Sequence, residues 1–473
     1  MRHLLLPGLA GVLLCGPAAL LFAGAASAAP RFVDDPYPST YRPIVSAPVL
    51  IRHATVLTGT GQRLDDADVL LSEGHVQAVG RQLAAPASAV VVEGQGKWVT
   101  PGLIDIHSHL GVYPSPGVKA HSDGNEMTSP VTPNVWAEHS VWPQDPGFVT
   151  AMAGGITTLQ VLPGSANLIG GRGVTLKNVP ATTYQAMKFP GAPWGLKMAC
   201  GENPKRVYGE KGGPATRMGN VAGYRAAFID ASEYLRKNAP KQPPKKQRWW
   251  NRSGDQDSGG DSGGKRDLKL DTLAGAINGD IRVHIHCYRA DEMATMLDLS
   301  KEFGFHIAAF HHAVEAYKLS DRLAAENVCG AMWADWWGFK MEAFDGIQEN
   351  IALVDRPANS CAIVHSDSEE GIQRLNQEAA KAIASAHRAG IEIAPEHAIE
   401  WMTANAAKAL GVERQTGTLE VGKMGDVVVW NGNPFSSYAL AEQVYVDGAQ
   451  VYDRHQRRLQ PVSDFMLGQE VGR

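Results

Sequence analysis

Apolar and polar positions alternate with two different periods along this chain, and the change of period divides it into three stretches. Residues 47–99 and 415–455 hold short apolar runs split by Glu-Gly, Asp-Gly and similar turn signals, a pattern that predicts β-hairpins. Residues 100–414 hold longer apolar runs that alternate with amphipathic segments, which predicts strands alternating with helices. We expect the two β-rich ends to pair into one small β domain beside a central α/β domain.

The central stretch contains apolar runs with the character of buried parallel strands, each bounded by polar residues or glycine. In chain order they read LIDIH, GITTLQVLP, GLKMACG, IRVHIHCY, FHIAAFHH, VCGAMWA and CAIVHSD. Between them, ADEMATMLDLSKEFG and EEGIQRLNQEAAKAIASAHRAG have helical spacing of apolar residues and a glycine at the end. Strand–helix alternation over about 300 residues predicts a parallel (β/α)8 barrel.

Composition adds little to this picture but excludes some classes of function. The chain has 473 residues, of which 44% are hydrophobic and 20% are charged, values that are ordinary for a globular protein with one large and one smaller domain. The formal net charge of −5 gives no sign of nucleic-acid binding.

The N-terminus predicts an exported protein. Arg2 precedes a mostly apolar run, and Ala26-Ser27-Ala28 is a small-x-small cleavage site. We expect residues 1–28 to be a secretory signal peptide and the protein to be periplasmic or extracellular. An uncleaved membrane anchor is the alternative, which Pro7 and Pro17 disfavour. Past this segment no stretch is long and apolar enough to span a membrane, so we expect no stable insertion.

Two further features stay open. Residues 237–265 are rich in Pro, Gly, Ser and charge, which predicts a flexible insertion within the barrel. Cys200, Cys287, Cys329 and Cys361 show no disulfide framework and no Cys-x-x-Cys pair. They can pair in an export compartment, or they can be small buried residues.

WVTPGLIDIHSHLG carries the strongest chemical signal of the chain. Side chains two apart on a strand share a face, so His107 and His109 point the same way at the end of the apolar run. Imidazole nitrogen is a preferred ligand of zinc and similar divalent ions. The motif therefore predicts a metal site at the C-terminal end of a barrel strand, where such sites form.

PGLIDIHSHLG resembles the first-strand motif of the amidohydrolase superfamily, and WMTANAAKALGVERQTGTLEVGKMGDVVVW resembles its helix and return to the β domain. The imidazolonepropionase-like branch, which includes dipeptidases of the same architecture, is the most similar. The resemblance runs from Val49 to Asp453. It implies a distorted (β/α)8 barrel, a composite β-sandwich and one or two divalent ions, for which we expect zinc.

The resemblance also implies further metal ligands. IRVHIHCYRADEM resembles the fifth barrel strand, where His286 fits the strand's end and His284 shares its face a layer deeper. FHIAAFHHAVEAYKL resembles the sixth strand. There His312 fits better than His311, and only one of the two should bind, because adjacent strand residues face opposite ways. AIVHSDSEEG resembles the eighth strand, whose aspartate, Asp367, is both a metal ligand and the proton shuttle.

A bridging ligand is harder to place. Binuclear members of the superfamily use a carboxylated lysine or a glutamate at the third or fourth strand, and GLKMACGENPKRVYG offers both Lys197 and Glu202. Glu202 is favoured slightly, because it needs no modification and follows a glycine at the strand's end. Lys197 stays open, since some dipeptidase relatives carry their modified lysine there. If neither side chain reaches the site, we expect a single ion.

These residues predict a mechanism. A bound divalent ion lowers the pKa of its water and polarises a carbonyl group. Asp367 would take the proton of that water and deliver it to the leaving group, and His312 would hold or polarise the substrate. Tyr288 and Arg289 are placed for substrate contact. Arg289 either binds a carboxylate in bidentate fashion or forms a surface ion pair.

An aromatic segment follows the seventh apolar run. WADWWGFKMEAFDGI contains Trp336, and aromatic side chains at the mouth of a barrel can form the wall of a pocket for an apolar or ring-containing substrate. Ordinary loop packing is the alternative interpretation, and the sequence does not favour either.

Our leading hypothesis is a metal-dependent hydrolase that cleaves a C–N bond of a small amide, N-acyl amino acid or dipeptide. Two alternatives stay open. One is imidazolonepropionase- or deaminase-type hydrolysis of a cyclic amide or amidine, and the other is a non-catalytic metal-binding barrel. The expected partner is a small-molecule substrate, and the resemblance leaves a homo-oligomer open.

Overall fold

A computed structural model describes residues 35–238, 266–336, 338–456 and 459–460. The described chain forms a barrel and a separate β-sheet. The strands are β1 (Val49–Leu57), β2 (Arg63–Ser72), β3 (His75–Gly80), β4 (Val90–Glu93), β5 (Trp98–Pro101), β6 (Leu103–Ser108), β7 (Ile156–Val161), β8 (Ile169–Lys177), β9 (Gly195–Ala199), β10 (Arg282–Cys287), β11 (Ile307–His312), β12 (Cys329–Met332), β13 (Ala362–Val364), β14 (Val427–Trp430), β15 (Ala441–Val446) and β16 (Ala449–Asp453).

The helices lie mainly between the barrel strands. They are α1 (Pro146–Ala153), α2 (Glu202–Tyr208), α3 (Arg217–Asn238), α4 (Leu268–Asn278), α5 (Ala290–Phe303), α6 (Ser320–Ala325), α7 (Asn350–Asp355), α8 (Leu375–Arg388), α9 (Pro395–Ala398) and α10 (Ala404–Leu410). Both helices that the periodicity predicts most clearly are present as α5 and α8. Helix α5 ends at Gly304, whose φ of 79° is the left-handed conformation that glycine adopts at helix ends.

The barrel consists of β6 to β13 in chain order, which confirms the predicted α/β barrel. The strands pair in parallel except at β8, which runs antiparallel to both of its neighbours. The last strand approaches the first through backbone contacts, because the Asp367 N–H donates to the carbonyl oxygen of His107 at 3.0 Å. This nearly closed arrangement brings the C-terminal ends of β6, β9, β10, β11 and β13 around one space.

Strand β8 is absent from the runs that the hydrophobic pattern predicts, because three glycines interrupt its apolar residues. Packing explains the small residues. A Cβ atom at Gly171 would lie 2.4 Å from the Val135 carbonyl oxygen, and a Cβ atom at Gly173 would lie 2.5 Å from the Leu162 side chain. The backbone of β8 therefore lies too close to its neighbours for any larger residue, and this close approach is invisible in the sequence pattern.

The remaining strands join the two ends of the described chain in one sheet. Its order is β16-β15-β14-β5-β1-β2-β3, with β4 paired to β1. Strand β5 pairs with β1 on one side and with β14 on the other, so it connects the N-terminal and C-terminal segments as the sequence predicts. Register shifts in β1 bend the sheet, which packs around an apolar cluster that includes Ile51, Val69 and Val429.

A buried ion network joins this sheet to the barrel. Lys177, the last residue of β8, is fully buried and donates from Nζ to both carboxylate oxygens of Asp426, at 2.9 and 3.0 Å, and to Asp447 at 3.0 Å. The hydroxyl of Tyr41 donates to the other oxygen of Asp447. One cation therefore holds two carboxylates from the C-terminal segment against the base of the barrel.

Within the described residues, two disulfide bonds cross between neighbouring barrel strands, a point that the sequence left open. Cys200 and Cys287 connect the ends of β9 and β10, and Cys329 and Cys361 connect β12 to the residue before β13. All four side chains are buried.

Several expectations concern residues that the structure leaves undescribed. The proposed signal peptide, residues 1–28, lies wholly outside the described residues, and so do positions 239–265 of the expected insertion. In the portion that is described, none of the helices combines the length and the apolar character needed to cross a membrane.

Candidate metal centre

The two histidines of the first barrel strand point into the mouth of the barrel. His107 lies near the end of the fully buried β6, and His109 follows that strand. The Nδ1 atom of His109 lies 2.8 Å from the carbonyl oxygen of Leu162, which can only accept, so Nδ1 carries the proton. The Nε2 atom of His109 therefore keeps its lone pair, and it faces Asp367.

Asp367 brings a carboxylate to the same point from the end of the eighth barrel strand. Its Oδ1 atom lies 3.2 Å from His107 Nε2 and 3.1 Å from His109 Nε2. The Asp367 and His109 side chains are 24% and 19% exposed, whereas His107 is 1% exposed. The space between these atoms is therefore open to solvent on the Asp367 side, from which a substrate can enter.

The sixth barrel strand contributes two histidines, against the expectation that His311 faces away. His311 is buried, and its Nδ1 lies 2.9 Å from His107 Nδ1. His312 also faces the site, with its Nδ1 3.9 Å from Asp367 Oδ2. The φ of 69° at His312 is the reason, because this left-handed residue breaks the alternation of the strand. Both side chains therefore face the barrel interior, but only His312 belongs to a candidate ligand group, and its choice over His311 as the metal ligand stays a prediction.

The fifth barrel strand places its two histidines as the alternation predicts. The ring centroid of His286 lies 4.5 Å from that of His312, and His286 Nε2 lies 3.4 Å from the amide nitrogen of Asn203. His284 lies a layer deeper, beside His311. The Nδ1 atoms of His286 and His312 are buried and have no hydrogen-bond partner among the described residues. Buried lone pairs of this kind are what a metal ion would satisfy.

The two candidates for a bridging ligand lie in different surroundings. Lys197 is fully buried on β9, and its Nζ lies 3.1 Å from His107 Nε2 and 3.1 Å from the carbonyl oxygen of Pro163. Glu202 begins α2, and its carboxylate faces Lys340 Nζ at 3.8 Å. The structure therefore brings Lys197, and not the favoured Glu202, next to the histidines.

Aromatic side chains form one wall of the barrel mouth. Residues 333–336 and 338–349, here called the mouth loop, follow β12. Trp333 stacks on His312 with centroids 4.4 Å apart, and Trp336 stacks on Trp333 at 5.0 Å. Tyr288 stacks on His312 at 5.2 Å and also contacts Trp333, with ring centroids 6.2 Å apart. Arg289 instead pairs with the exposed Asp291 at 3.1 Å, which is the surface ion pair that the sequence left open.

The charges of the site are set by burial and by close opposite charges. Burial alone would favour the neutral acid of Asp367, but the facing imidazoles of His312 and His109 and the Lys197 ammonium hold the pKa of Asp367 well below its usual value. Burial lowers the pKa of Lys197 to about 8. It also lowers the pKa values of His107 and His286, so these rings are neutral near pH 7.

This set of donors fits a divalent ion. His107, His109 and Asp367 offer ligand atoms that all lie within 4.8 Å of one another, and so do His107, His312 and His365. Neutral imidazoles and an ionised carboxylate are the groups that zinc and similar ions bind in proteins. Both groups include His107, whose neutral ring has one acceptor nitrogen and can therefore ligate only one ion.

Sequence reasoning gave two buried side chains around this centre too little weight. His365 lies two residues before Asp367 and is not among the predicted metal ligands. Its Nε2 atom accepts a hydrogen bond from the backbone N–H of His312 at 3.1 Å. Asp105 lies two residues before His107 and accepts from the hydroxyl and the N–H of Ser366. In both cases the residue lies two positions before a predicted metal ligand and so shares its face of the strand, and this spacing was the signal that the sequence offered.

The chain belongs to the amidohydrolase family. The family model described as "Amidohydrolase family" matches residues 364–453. A solved amidohydrolase from Thermotoga maritima MSB8 is 34% identical, with a TM-score of 0.74, over 86% of this chain and 100% of that one.

Curated relatives support the same family over different lengths. The amidohydrolase tasK of Hapsidospora irregularis is 32% identical in an alignment of 439 residues that covers 86% of this chain and 43% of that protein. This chain therefore spans less than half of that relative. The dihydroorotase of Geobacter sulfurreducens is 44% identical over 63 residues, 13% of this chain and 14% of that protein. Imidazolonepropionases also match over short stretches.

Proposed function

We propose that this protein is a zinc-dependent hydrolase that cleaves the C–N bond of a small amide, an N-acyl amino acid or a dipeptide. The observation that carries the proposal is the convergence of His107, His109 and Asp367 within 4.8 Å, with Lys197 on one side. A divalent ion bound there would supply a nucleophilic water at neutral pH and polarise the scissile carbonyl.

The side chains of the chain would divide the remaining work. Asp367 places a carboxylate beside His107 and His109, where it would accept a proton as water attacks and return that proton to the leaving nitrogen. His312, which stacks on both Tyr288 and Trp333, is placed to hold the substrate carbonyl. Protonation of the leaving nitrogen decides the outcome, because without it the attacking water is expelled again and the C–N bond stays intact.

The aromatic wall supports the substrate class. Of the three rings beside the candidate metal ligands, Tyr288 and Trp333 are buried and Trp336 is 40% exposed. Trp336 is therefore the ring that can contact a planar or apolar group of the substrate. An acyl group or a side chain with an aromatic ring would therefore gain contact area that a short aliphatic one lacks.

Metal analysis tests the proposal first. The purified protein should contain about one or two tightly bound divalent ions per chain. His107→Ala should lower this content, and His306→Ala, which alters a histidine outside the cluster, should not. If the wild type holds about two metal ions per chain and Lys197→Met holds fewer, Lys197 is supported as a bridging ligand. A protein that binds no metal after zinc or manganese is supplied would instead be a non-catalytic barrel.

Activity is the second arm of the same experiment. A panel of dipeptides, N-acyl amino acids and cyclic amides should contain a substrate whose turnover falls roughly 100-fold or more in Asp367→Asn, because proton transfer contributes this much. Turnover of the cyclic compounds alone would favour the imidazolonepropionase-like alternative. Turnover that survives Asp367→Asn would contradict the mechanism.

We also propose that the protein works in an oxidising compartment outside the cytoplasm. The support is the pair of disulfide bonds within the barrel, because disulfides persist mainly in such compartments. Under denaturing conditions without reductant, Cys200, Cys287, Cys329 and Cys361 should not react with a thiol reagent, and all four should react after reduction. Four reactive thiols in protein isolated from its own compartment, with alkylation at lysis, would contradict this proposal.

A further inference from the structure

Three buried imidazoles form a hydrogen-bonded row that begins at the candidate metal centre and runs into the barrel. His107 Nδ1 lies 2.9 Å from His311 Nδ1, and His311 Nε2 lies 2.9 Å from His284 Nδ1. The three side chains come from β6, β11 and β10, and each residue is at most 1% exposed. The row therefore crosses three strands without contact with solvent.

The protons in this row are coupled. All three rings are buried, and burial disfavours the charged imidazolium form. A neutral imidazole has one N–H donor and one acceptor nitrogen. If one ring of the row donates toward its neighbour, the neighbour must donate onward in the same direction. The whole row therefore has only two orientations.

Only one orientation leaves His107 able to bind a metal. Its Nε2 atom faces Asp367 and Lys197, at 3.2 and 3.1 Å, and must keep its lone pair to act as a ligand. The proton of His107 is then on Nδ1 and is donated to His311. His311 in turn donates from Nε2 to His284 Nδ1. In the opposite orientation His107 carries its proton on Nε2, where it blocks coordination.

The far end of the row is a buried polar atom that neither orientation satisfies. His284 would carry its proton on Nε2, and that atom is buried without a hydrogen-bond partner among the described residues. An apolar residue at position 284 or 311 would fill the same core without an unsatisfied polar group. The two histidines are therefore poorly explained by packing alone.

We propose that His311 and His284 are positioning residues that hold His107 in the tautomer that binds metal. The proposal rests on the proposed function, because it requires an ion at His107 Nε2. It assigns His311 a task distinct from that of its neighbour His312. The ligand that the row serves is a divalent cation of the zinc class.

The test measures Zn²⁺ affinity, which does not depend on knowing the substrate. The full chain is stripped with a chelator and titrated with Zn²⁺ against a chromogenic competitor, and circular dichroism checks the fold of each variant. His311→Leu removes the acceptor for His107 and should weaken Zn²⁺ binding by roughly 10- to 100-fold, the usual effect of losing such a partner.

Further variants separate hydrogen bonding from packing. His311→Gln keeps an oxygen that accepts from His107 and an amide that donates to His284, so it should retain most of the affinity. His284→Leu leaves the His311 N–H without an acceptor and should weaken binding less than His311→Leu does. His306→Leu alters a histidine outside the row and should match the wild type.

The outcomes distinguish the two proposals. If the wild type binds no Zn²⁺, the proposed function and the row both fail. If the wild type binds and folded His311→Leu binds equally well, only the row fails. Should His311→Leu not fold, unchanged affinity in His284→Leu, or a loss in His311→Gln as large as that in a His107→Ala variant, would overturn the proposal.

Discussion

Two residues of the candidate centre adopt a backbone conformation that is rare outside glycine. His312 has a φ of 69° and Asp367 a φ of 52°. Such residues are strained, and they cluster at functional sites because the surrounding structure must compensate for the strain. Both lie at or just beyond the end of a barrel strand, so the strain occurs where a side chain has to face the barrel mouth.

Ionisation of a single histidine predicts a pH dependence of stability. The hydrogen bond with Asp355, 2.6 Å from His397 Nε2, raises the pKa of His397. Since the folded state holds this proton more tightly than the unfolded state, the stabilisation is present below the unfolded pKa of about 6.5 and is lost as pH rises through the higher folded pKa. The pair is partly exposed, so its contribution is at most about 1 kcal/mol.

His397→Asn should therefore destabilise the protein more at about pH 5.5 than at about pH 9, as measured by urea unfolding. The same substitution in an Asp355→Asn background should show no such difference between the two pH values, because the partner is already absent. A larger loss at the higher pH would contradict the assignment.

At the scale of elements, the mouth loop is held against two other loops by one lysine and one glutamate. Lys340 Nζ lies 2.7 Å from Glu342 and 4.0 Å from the ring centroid of Tyr288. The other oxygen of Glu342 accepts from the backbone N–H of Glu202 at 2.9 Å. The loop that carries Trp333 and Trp336 is thereby tied to the ends of β9 and β10.

Lys340→Met should loosen the mouth loop without unfolding the barrel. Breaking a largely buried ion pair typically costs about 3–5 kcal/mol, which predicts a tenfold or greater rise in local opening. Hydrogen exchange should accelerate in residues 338–346 and at the start of α2, with little change in Tm. Lys301→Met removes an exposed ion pair of α5 and is the matched control. Equal exchange in Lys340→Met and the wild type would show that other contacts hold the loop.

For the whole molecule, the buried network of Lys177 joins the β-sheet to the barrel. Without Lys177, the carboxylates of Asp426 and Asp447 would remain close together and buried with no cation between them. Removing one partner of a buried ion pair typically costs about 3–5 kcal/mol. The connection between the two parts of the fold should therefore depend strongly on this one side chain.

Lys177→Met should lower the free energy of unfolding by about 3–5 kcal/mol at neutral pH, as measured in urea. Lys269→Met, at an exposed position of α4, should change it by less than about 0.5 kcal/mol. A loss in Lys177→Met as small as that of the control would mean that the apolar contacts alone hold the sheet to the barrel.

The sequence by itself determined the class of the fold and most of the candidate metal ligands. Alternating apolar runs and helical segments predict a barrel, and the i, i+2 spacing of His107 and His109 places both rings on one face of a strand. These are local properties of the chain, so they can be predicted without knowledge of the tertiary structure. The His312 and Asp367 positions followed from the order of the strands and from the family resemblance.

Only the tertiary structure decided which side chains meet. The inward turn of His312 depends on a left-handed backbone residue, and the choice between Lys197 and Glu202 depends on where α2 begins relative to the barrel axis. The antiparallel β8 and the row from His107 to His284 arise from contacts between strands far apart in the chain. Sequence periodicity reports the face of a single element, whereas these features depend on how several elements pack.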